Sequence, residues 1–190
     1  ALLVNLGTLD PTRVAAIAIA FEVARADKTP IVLDPVFVDR SPVRAVRARK
    51  LVAERPTIVK GNALEMAALM GEDVTPDRVA AWTLRHVDTV AVTGEIDLVT
   101  SGSARASIAN GHPLATRVTA MGCAAGALIA AFAAVAEAPF VATTAALLVA
   151  GIAGDMAAET ARGPGSFQPA FLDALATLTP DMLMARARLT

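Results

Sequence analysis

The chain has 190 residues, a formal net charge of −1 and 55% hydrophobic residues, and it contains a single cysteine. This length fits one domain over residues 1–190 with a buried core, and a charged fraction of 18% is too low for a disordered chain. The near-neutral charge argues against nucleic-acid binding, and one cysteine excludes a disulfide framework or a thiolate metal cluster. We therefore expect one enzyme-sized cytoplasmic domain.

The two longest apolar stretches, residues 123–136 and 138–154, are separated by Glu137 and Pro139. Each is shorter than the ~20 residues that a membrane span needs, so we interpret them as buried helices and expect no membrane partner. The opening ALLVNLG lacks both Met and the basic segment of a secretory signal. It resembles a strand already under way, so we expect that an N-terminal part of the domain is missing.

The first half of the chain alternates between short apolar runs and segments with helical spacing. The predicted strands are residues 2–7, 30–36, 57–61 and 87–94, and the predicted helices are residues 11–26, 41–54, 63–70 and 76–86. Asp10, Ser41 and Thr75 stand at N-cap positions, and each is followed by proline. This alternation predicts an α/β fold with a mostly parallel central sheet and helices on both faces.

The second half changes character after residue 94. Residues 97–100 and 106–109 are predicted strands around Ser101-Gly102-Ser103, which indicates a hairpin or an edge addition to the sheet. Helices are predicted over residues 123–136, 139–158 and 168–178, followed by a short tail from Pro180. The Gly-Pro-Gly sequence at residues 163–165 is expected to break the chain before Ser166, as a turn or a cap.

Polar or small residues follow four of the predicted strands. In open α/β sheets, ligands bind beyond the carboxyl ends of the strands. The sequence therefore predicts one crevice lined by Asn5, Asp34, Asn62 and Thr93. The alternative is that strand ends simply need turn residues.

The segment VTAMGCAAG leads from small residues directly into an apolar helix. The first N–H groups of such a helix are free and lie at its positive end, which suits a phosphate or a developing anion. A cysteine there, Cys123, could accept a proton from an attacking hydroxyl. The alternative is a buried cysteine that acts as a small hydrophobic residue among alanines.

Two carboxylates are candidates for magnesium. Asp34 follows a buried strand, and Glu65 lies three residues after Asn62 at a helix start. Carboxylates from neighbouring strands suit a hydrated Mg²⁺, which takes few protein ligands. The alternative for Glu65 is an ordinary first-turn residue. A basic run that includes Arg44 and Arg47 is interpreted as a solvated helix face, with an anion site as the alternative.

Six segments taken together resemble the hydroxyethylthiazole kinase family. They are LVNLGTLDP, VLDPVFVD, KGNALE, VAVTGEIDLVT, NGHPLATRVTAMGC and GPGSFQPAFLDAL, in that order along nearly the whole chain. The resemblance implies a ribokinase-like three-layer sandwich and a homotrimer with active sites between subunits. It also implies ATP- and Mg²⁺-dependent phosphorylation of 4-methyl-5-(2-hydroxyethyl)thiazole in thiamine salvage.

The resemblance also implies roles for individual residues. The family's Gly-x-Gly-Cys motif falls on residues 120–123, so Gly122 and Cys123 match its anion hole and its proton acceptor. The substrate-side positions match Ala120, Asn5, Gly7 and Thr8.

On the nucleotide side, Lys60 stands where the family usually has an ATP-contacting arginine, and Thr93 matches a nucleotide-contacting threonine. Asn62 is assigned to the same side. Asp34 and Glu65 match acidic positions associated with Mg²⁺ and phosphates.

Two departures from the family pattern bear on these roles. Ala120 replaces a glycine, so its methyl group reduces the space near the substrate hydroxyl. Lys60 replaces the family's usual arginine, so a compact ammonium group stands in place of a guanidinium that can form two parallel hydrogen bonds. These departures keep two alternatives open: a protein that binds the thiazole or a nucleotide without turnover, and a related kinase for another small alcohol.

Overall fold

Six strands form one sheet in the order in which they occur along the chain. The computed structural model describes all residues from Ala1 to Thr190. Strands β1 to β4 are parallel, whereas β5 and β6 add an antiparallel hairpin at one edge. The strands are β1 Leu2–Asn5, β2 Ile31–Asp34, β3 Ile58–Asn62, β4 Thr89–Thr93, β5 Asp97–Ser101 and β6 Ala104–Ile108.

Eight α-helices accompany the sheet. They are α1 Pro11–Ala26, α2 Pro42–Ala53, α3 Ala63–Met70, α4 Pro76–His86, α5 Met121–Ala133, α6 Pro139–Thr160, α7 Pro164–Thr177 and α8 Pro180–Arg186. Short 3₁₀-helices at Val38–Arg40 and Pro113–Arg117 were not predicted.

The helices divide between the two faces of the sheet because of the strand order. Each parallel strand is added on the same side of the one before it, so right-handed crossovers place α1 to α4 on a single face. There, Phe21, Leu51 and Met66 pack with Leu33 and other strand residues in one apolar cluster. Helices α5 and α6 cover the opposite face, and α7 packs on α6. The predicted three-layer α/β fold is confirmed.

The three predicted N-caps begin their helices as expected. The side chains of Asp10, Ser41 and Thr75 accept hydrogen bonds from the backbone N–H three residues further on, and proline occupies the first helical position each time. Proline fits there because that N–H has no partner within the helix.

The predicted start of α7 is wrong. The helix begins at Pro164, four residues before the predicted start at residue 168, and Gly163 is its N-cap, so of the two expected roles the Gly-Pro-Gly sequence takes that of a cap. The physical reason is the same tolerance for proline in a first turn. Similarly, α5 begins two residues earlier than predicted, which places Cys123 inside its first turn.

Helix α6 is the one helix long and apolar enough to cross a membrane by length and composition. In the folded chain Ala142, Ala146 and Leu147 pack against the sheet, and Ala153 and Ala157 pack against α7. Its apolar residues are therefore used for contacts between layers, as the sequence predicted for the interior of a globular protein.

Candidate active site

The strand register brings three polar side chains into contact at the carboxyl ends of β1, β2 and β3. Asn5 pairs with Asp34, and Lys60 lies on the next strand. Asn5 Nδ2 donates to Asp34 Oδ2 at 2.9 Å, and Lys60 Nζ lies 3.5 Å from Asp34 Oδ1. We call these three residues the strand-end cluster. Asp34, predicted to face an open crevice, is instead completely buried, and Lys60 is only 4% exposed.

The first turn of α5 lies directly on this cluster. Lys60 Nζ donates to the Gly122 carbonyl oxygen at 3.0 Å, and Asn5 Nδ2 is 3.4 Å from Cys123 Sγ. Cys123 is partly exposed, so it is not a fully buried hydrophobic residue. The structure therefore brings together five residues that the sequence assigned to four different roles: the substrate side, the nucleotide side, magnesium, and the anion hole with its proton acceptor.

Two glycines of α5 make this close approach possible. A Cβ at position 122 would lie 3.3 Å from Lys60 Nζ, and one at position 126 would lie 3.2 Å from Asp34 Oδ2. Gly122 and Gly126 are one helical turn apart and share a face. The Lys60–Asp34 ion pair therefore lies against the face of α5 formed by these two glycines, which have no side chains.

Effects of opposite sign act on the pKa of the Asp34 carboxyl. Burial raises the pKa of its carboxyl, the Lys60 ammonium lowers it, and the nearby Glu65 carboxylate raises it again. The overall direction is upward. A buried ion pair is retained only where hydrogen bonds satisfy its remaining polar atoms, and Asn5 and the Gly122 carbonyl supply them here.

Glu65 links the β2 and β3 ends instead of facing solvent. Its Oε2 accepts from the Asn62 N–H and the Asn62 side chain accepts from the Glu65 N–H, which forms a capping box at the start of α3. Its Oε1 accepts from the Phe37 N–H at 2.9 Å. Phe37 has a φ of 59°, a conformation that is costly for an aromatic residue. The buried carboxylate therefore holds a strained loop beside the site.

The nucleotide side predicted from the sequence contains one residue that sequence reasoning missed. Thr93 is paired with Asn62 in the β3–β4 register, as expected for one crevice. Beyond it, Asp97 Oδ1 accepts from the Gly94 N–H at 2.9 Å. Burial raises the pKa of Asp97 to about 6, although Gly94 and Lys60 both act to lower it. The spacing of Gly94 and Asp97 across a hairpin turn was the available signal.

The substrate-side residues lie at the end of β1 and at the start of α5. Asn5 Oδ1 accepts from the Gly7 N–H at 2.9 Å, and Thr8 is exposed. Arg44 donates to the Gly7 carbonyl at 2.8 Å, so it is more than part of a solvated helix face. Ala120 is exposed and is the N-cap of α5, with a φ of 68° and no side-chain capping bond.

Neither carboxylate predicted for magnesium is free. Both oxygens of Asp34 lie beside the donors Asn5 and Lys60, and both oxygens of Glu65 accept backbone N–H groups. No group of three or more His, Cys, Asp or Glu side chains is arranged to hold a metal ion. These residues do not fit a protein-only metal site. A magnesium ion that arrives with a nucleotide brings phosphate oxygens and water as its ligands.

The fold and site define a ribokinase-like α/β protein in which the N-terminus of α5 lies at the carboxyl ends of the strands. A family model described as "Hydroxyethylthiazole kinase family" matches residues 1–181. The chain therefore belongs to the hydroxyethylthiazole kinase family, as the sequence resemblance predicted.

Individual relatives agree with this membership. The chain is 43% identical over 189 residues to a probable hydroxyethylthiazole kinase of Agrobacterium fabrum, covering 100% of this chain and 72% of the relative. It is 45% identical over 200 residues to the hydroxyethylthiazole kinase of Granulibacter bethesdensis, covering 98% and 73%. The chain thus spans about three quarters of the relatives it matches.

Solved structures give the same result. The hydroxyethylthiazole kinase structure from Pyrococcus horikoshii OT3 matches with a TM-score of 0.92 and 36% identity, covering 100% of this chain and 76% of that one. The pyridoxal kinase of Staphylococcus aureus in complex with AMP-PCP matches with a TM-score of 0.61 and 20% identity, covering 81% and 62%. The second likeness shows the fold alone.

Replacing Ala120 by glycine is expected to stabilise the protein by about 1 kcal/mol, because a left-handed backbone is costly for any residue with a Cβ. The measurement is the free energy of unfolding in urea. Ala124→Gly, in the right-handed part of α5, is the matched control and should destabilise by about 1 kcal/mol. Equal effects of the two changes would contradict the strain at position 120.

Asp97→Asn is expected to stabilise the protein above pH 6. The folded-state pKa of about 6 lies above the ordinary value of 3.8, so the folded state binds more protons between these values. The wild-type free energy of unfolding therefore falls as pH rises from about 4 to 6, by at most about 3 kcal/mol.

The asparagine variant removes this fall while its side-chain oxygen can still accept the Gly94 N–H. Urea unfolding at several pH values from 4 to 8 measures the slope. Asp173→Asn, at an exposed site in α7, serves as the control and should leave the slope unchanged. A wild-type slope retained in Asp97→Asn would show that another group titrates.

Proposed function

We propose that this chain transfers the γ-phosphoryl group of ATP to the hydroxyl of hydroxyethylthiazole, a step of thiamine salvage. The observation that carries the proposal is the contact between the first turn of α5 and the strand-end cluster. It brings Cys123 to 3.4 Å from Asn5 and Gly122 to 3.0 Å from Lys60. Membership of the hydroxyethylthiazole kinase family supports the choice of substrate.

The proposed reaction uses little covalent chemistry by the protein. The alcohol oxygen forms a bond to the γ-phosphorus while the bond from that phosphorus to the ADP oxygen breaks. The backbone N–H groups of Gly122 and Cys123, at the positive end of α5, hold the transferring group. Cys123 accepts the hydroxyl proton. Positioning and charge neutralisation provide most of the rate in such reactions.

The remaining predicted residues fall on two sides of this centre. Lys60, Asn62 and Thr93 are proposed to contact ATP, since they lie along the ends of β3 and β4. Asn5, Gly7, Thr8 and Ala120 are proposed to border the thiazole alcohol at the end of β1 and the start of α5. The Ala120 methyl group narrows that side, which favours a small substrate.

Magnesium is proposed to enter with ATP. Because Asp34 is completely buried and both oxygens of Glu65 already accept backbone N–H groups, we propose that phosphate oxygens and water hold the ion, and that the two carboxylates favour it by their negative charge without direct contact. Mg²⁺ keeps several waters in most protein sites, which supports this arrangement.

A homotrimer with active sites between subunits is proposed for the assembly, together with a cytoplasmic location. Strand β1 is an edge of the sheet, and the exposed side chains of Ile19 and Val23 lie on the neighbouring helix α1. An open strand edge beside apolar residues is a feature that proteins usually cover.

The purified protein with ATP, Mg²⁺ and hydroxyethylthiazole is expected to release ADP and form the phosphorylated alcohol. Coupled ADP release and mass spectrometry of the product measure this activity, and it should stop when the metal is chelated. Calorimetric binding of thiazole without turnover would favour a binding protein instead. Turnover on another small alcohol alone would favour a related kinase.

Cys123→Ala is expected to lower kcat by ~10–10³-fold, because a general base contributes modestly to a loose phosphoryl-transfer transition state. Steady-state kinetics give kcat and the KM of both substrates. Cys123→Asp retains a proton acceptor and should recover much of the rate. An unchanged kcat in the alanine variant would remove Cys123 from the mechanism.

A further inference from the structure

We propose that Lys60 is a positioning residue, which fixes the first turn of α5 to the sheet through the Gly122 carbonyl and thereby sets the position of Cys123. Its kinetic consequence depends on the proposed kinase activity, whereas its structural consequence does not. This role is separate from contact with the nucleotide. Two of the three ammonium N–H groups face the protein oxygens of Asp34 and Gly122, and only the third is left for a nucleotide.

The first argument is the environment of the ammonium group. The Lys60 side chain is 5% exposed, and its Nζ lies between Asp34 Oδ1 at 3.5 Å and the Gly122 oxygen at 3.0 Å. Charged lysine is almost never buried this far without partners. One of these partners belongs to β2 and the other to α5, so the side chain connects two layers of the fold.

The second argument is the composition of α5. Its sequence MGCAAGALIAAFA is rich in alanine, the best helix former, yet it carries glycine at the two positions that face the ion pair. Glycine is a poorer helix former than alanine, so these two positions weaken the helix unless the space they leave is used. At position 126 an alanine Cβ would press on the Asp34 carboxylate, and at position 122 it would press on Lys60. Because these glycines have no side chains, the Lys60–Asp34 pair can pack directly against the helix backbone.

The third argument is that the usual anchor of a helix start is absent. Ala120 has no side chain that can accept from the first turn, and its backbone is in the left-handed region. The side-chain contacts that hold this turn to the sheet are Lys60 on Gly122 and Asn5 on Cys123. Removing the first should therefore loosen the turn that carries the proposed phosphoryl-binding N–H groups.

Lys60→Met and Lys60→Met/Asp34→Asn test this role, the double variant because it leaves no unpaired buried carboxylate. In both, hydrogen exchange without nucleotide is expected to rise at least fivefold in peptides covering residues 121–126, with the sheet unchanged. Lys60→Arg should restore protection, since a guanidinium can reach both oxygens. Lys50→Met, at an exposed site in α2, is the matched control.

In kinetics, loss of positioning should lower kcat at saturating ATP by ~10–100-fold, in addition to any rise in the KM for ATP that the lost nucleotide contact causes, because small displacements of reacting groups are costly. Wild-type exchange in the double variant would overturn the proposal, and wild-type exchange and kcat together with a raised KM for ATP would identify Lys60 as a nucleotide contact alone. If the wild type shows no turnover, the proposed function fails, and the exchange result still decides the role of Lys60.

Discussion

The buried pair of Lys60 and Asp34 is the interaction on which the site depends. Removing both charges from water is costly, and the cost is offset only if every remaining polar atom finds a partner. Those partners come from different parts of the fold: Asn5 from β1 and the Gly122 carbonyl from α5. Satisfying one ion pair therefore aligns three strands and one helix, and it brings the only cysteine of the chain to the carboxyl edge of the sheet.

This arrangement matches the needs of phosphoryl transfer, in which the protein mainly positions groups and neutralises charge. The helix start supplies N–H donors, and Lys60 supplies a cation that the sheet holds in place. A lysine in place of the family's arginine gives up bidentate geometry, but its compact ammonium fits between a carboxylate and a helix turn. In the proposed mechanism, the Lys60 ammonium both binds phosphate and fixes the first turn of α5 to the sheet.

Two of the four non-glycine residues with a left-handed backbone lie at this edge of the sheet. Phe37 and Ala120 both have left-handed backbones without being glycine, and one follows β2 while the other begins α5. The Glu65 carboxylate holds the first through the Phe37 N–H. Asp97, a partly buried residue at the start of β5, adds a carboxyl whose pKa is raised. Strain and raised pKa values at one edge are typical of functional sites that the rest of the fold stabilises.

The sequence alone determined the alternation of strands and helices, the N-caps and the family, because these depend on local spacing and on short motifs. It also selected Asn5, Asp34, Lys60 and Cys123 as candidate site residues, and it placed Asn5 and Asp34 in one crevice. Only the tertiary structure decided that Asp34 is buried, that Glu65 caps a helix and that Lys60 reaches Gly122. Residues 60 and 122 are far apart along the chain, and strand register and helix packing bring them together. Local sequence patterns do not show which residues that are distant along the chain become neighbours in the fold.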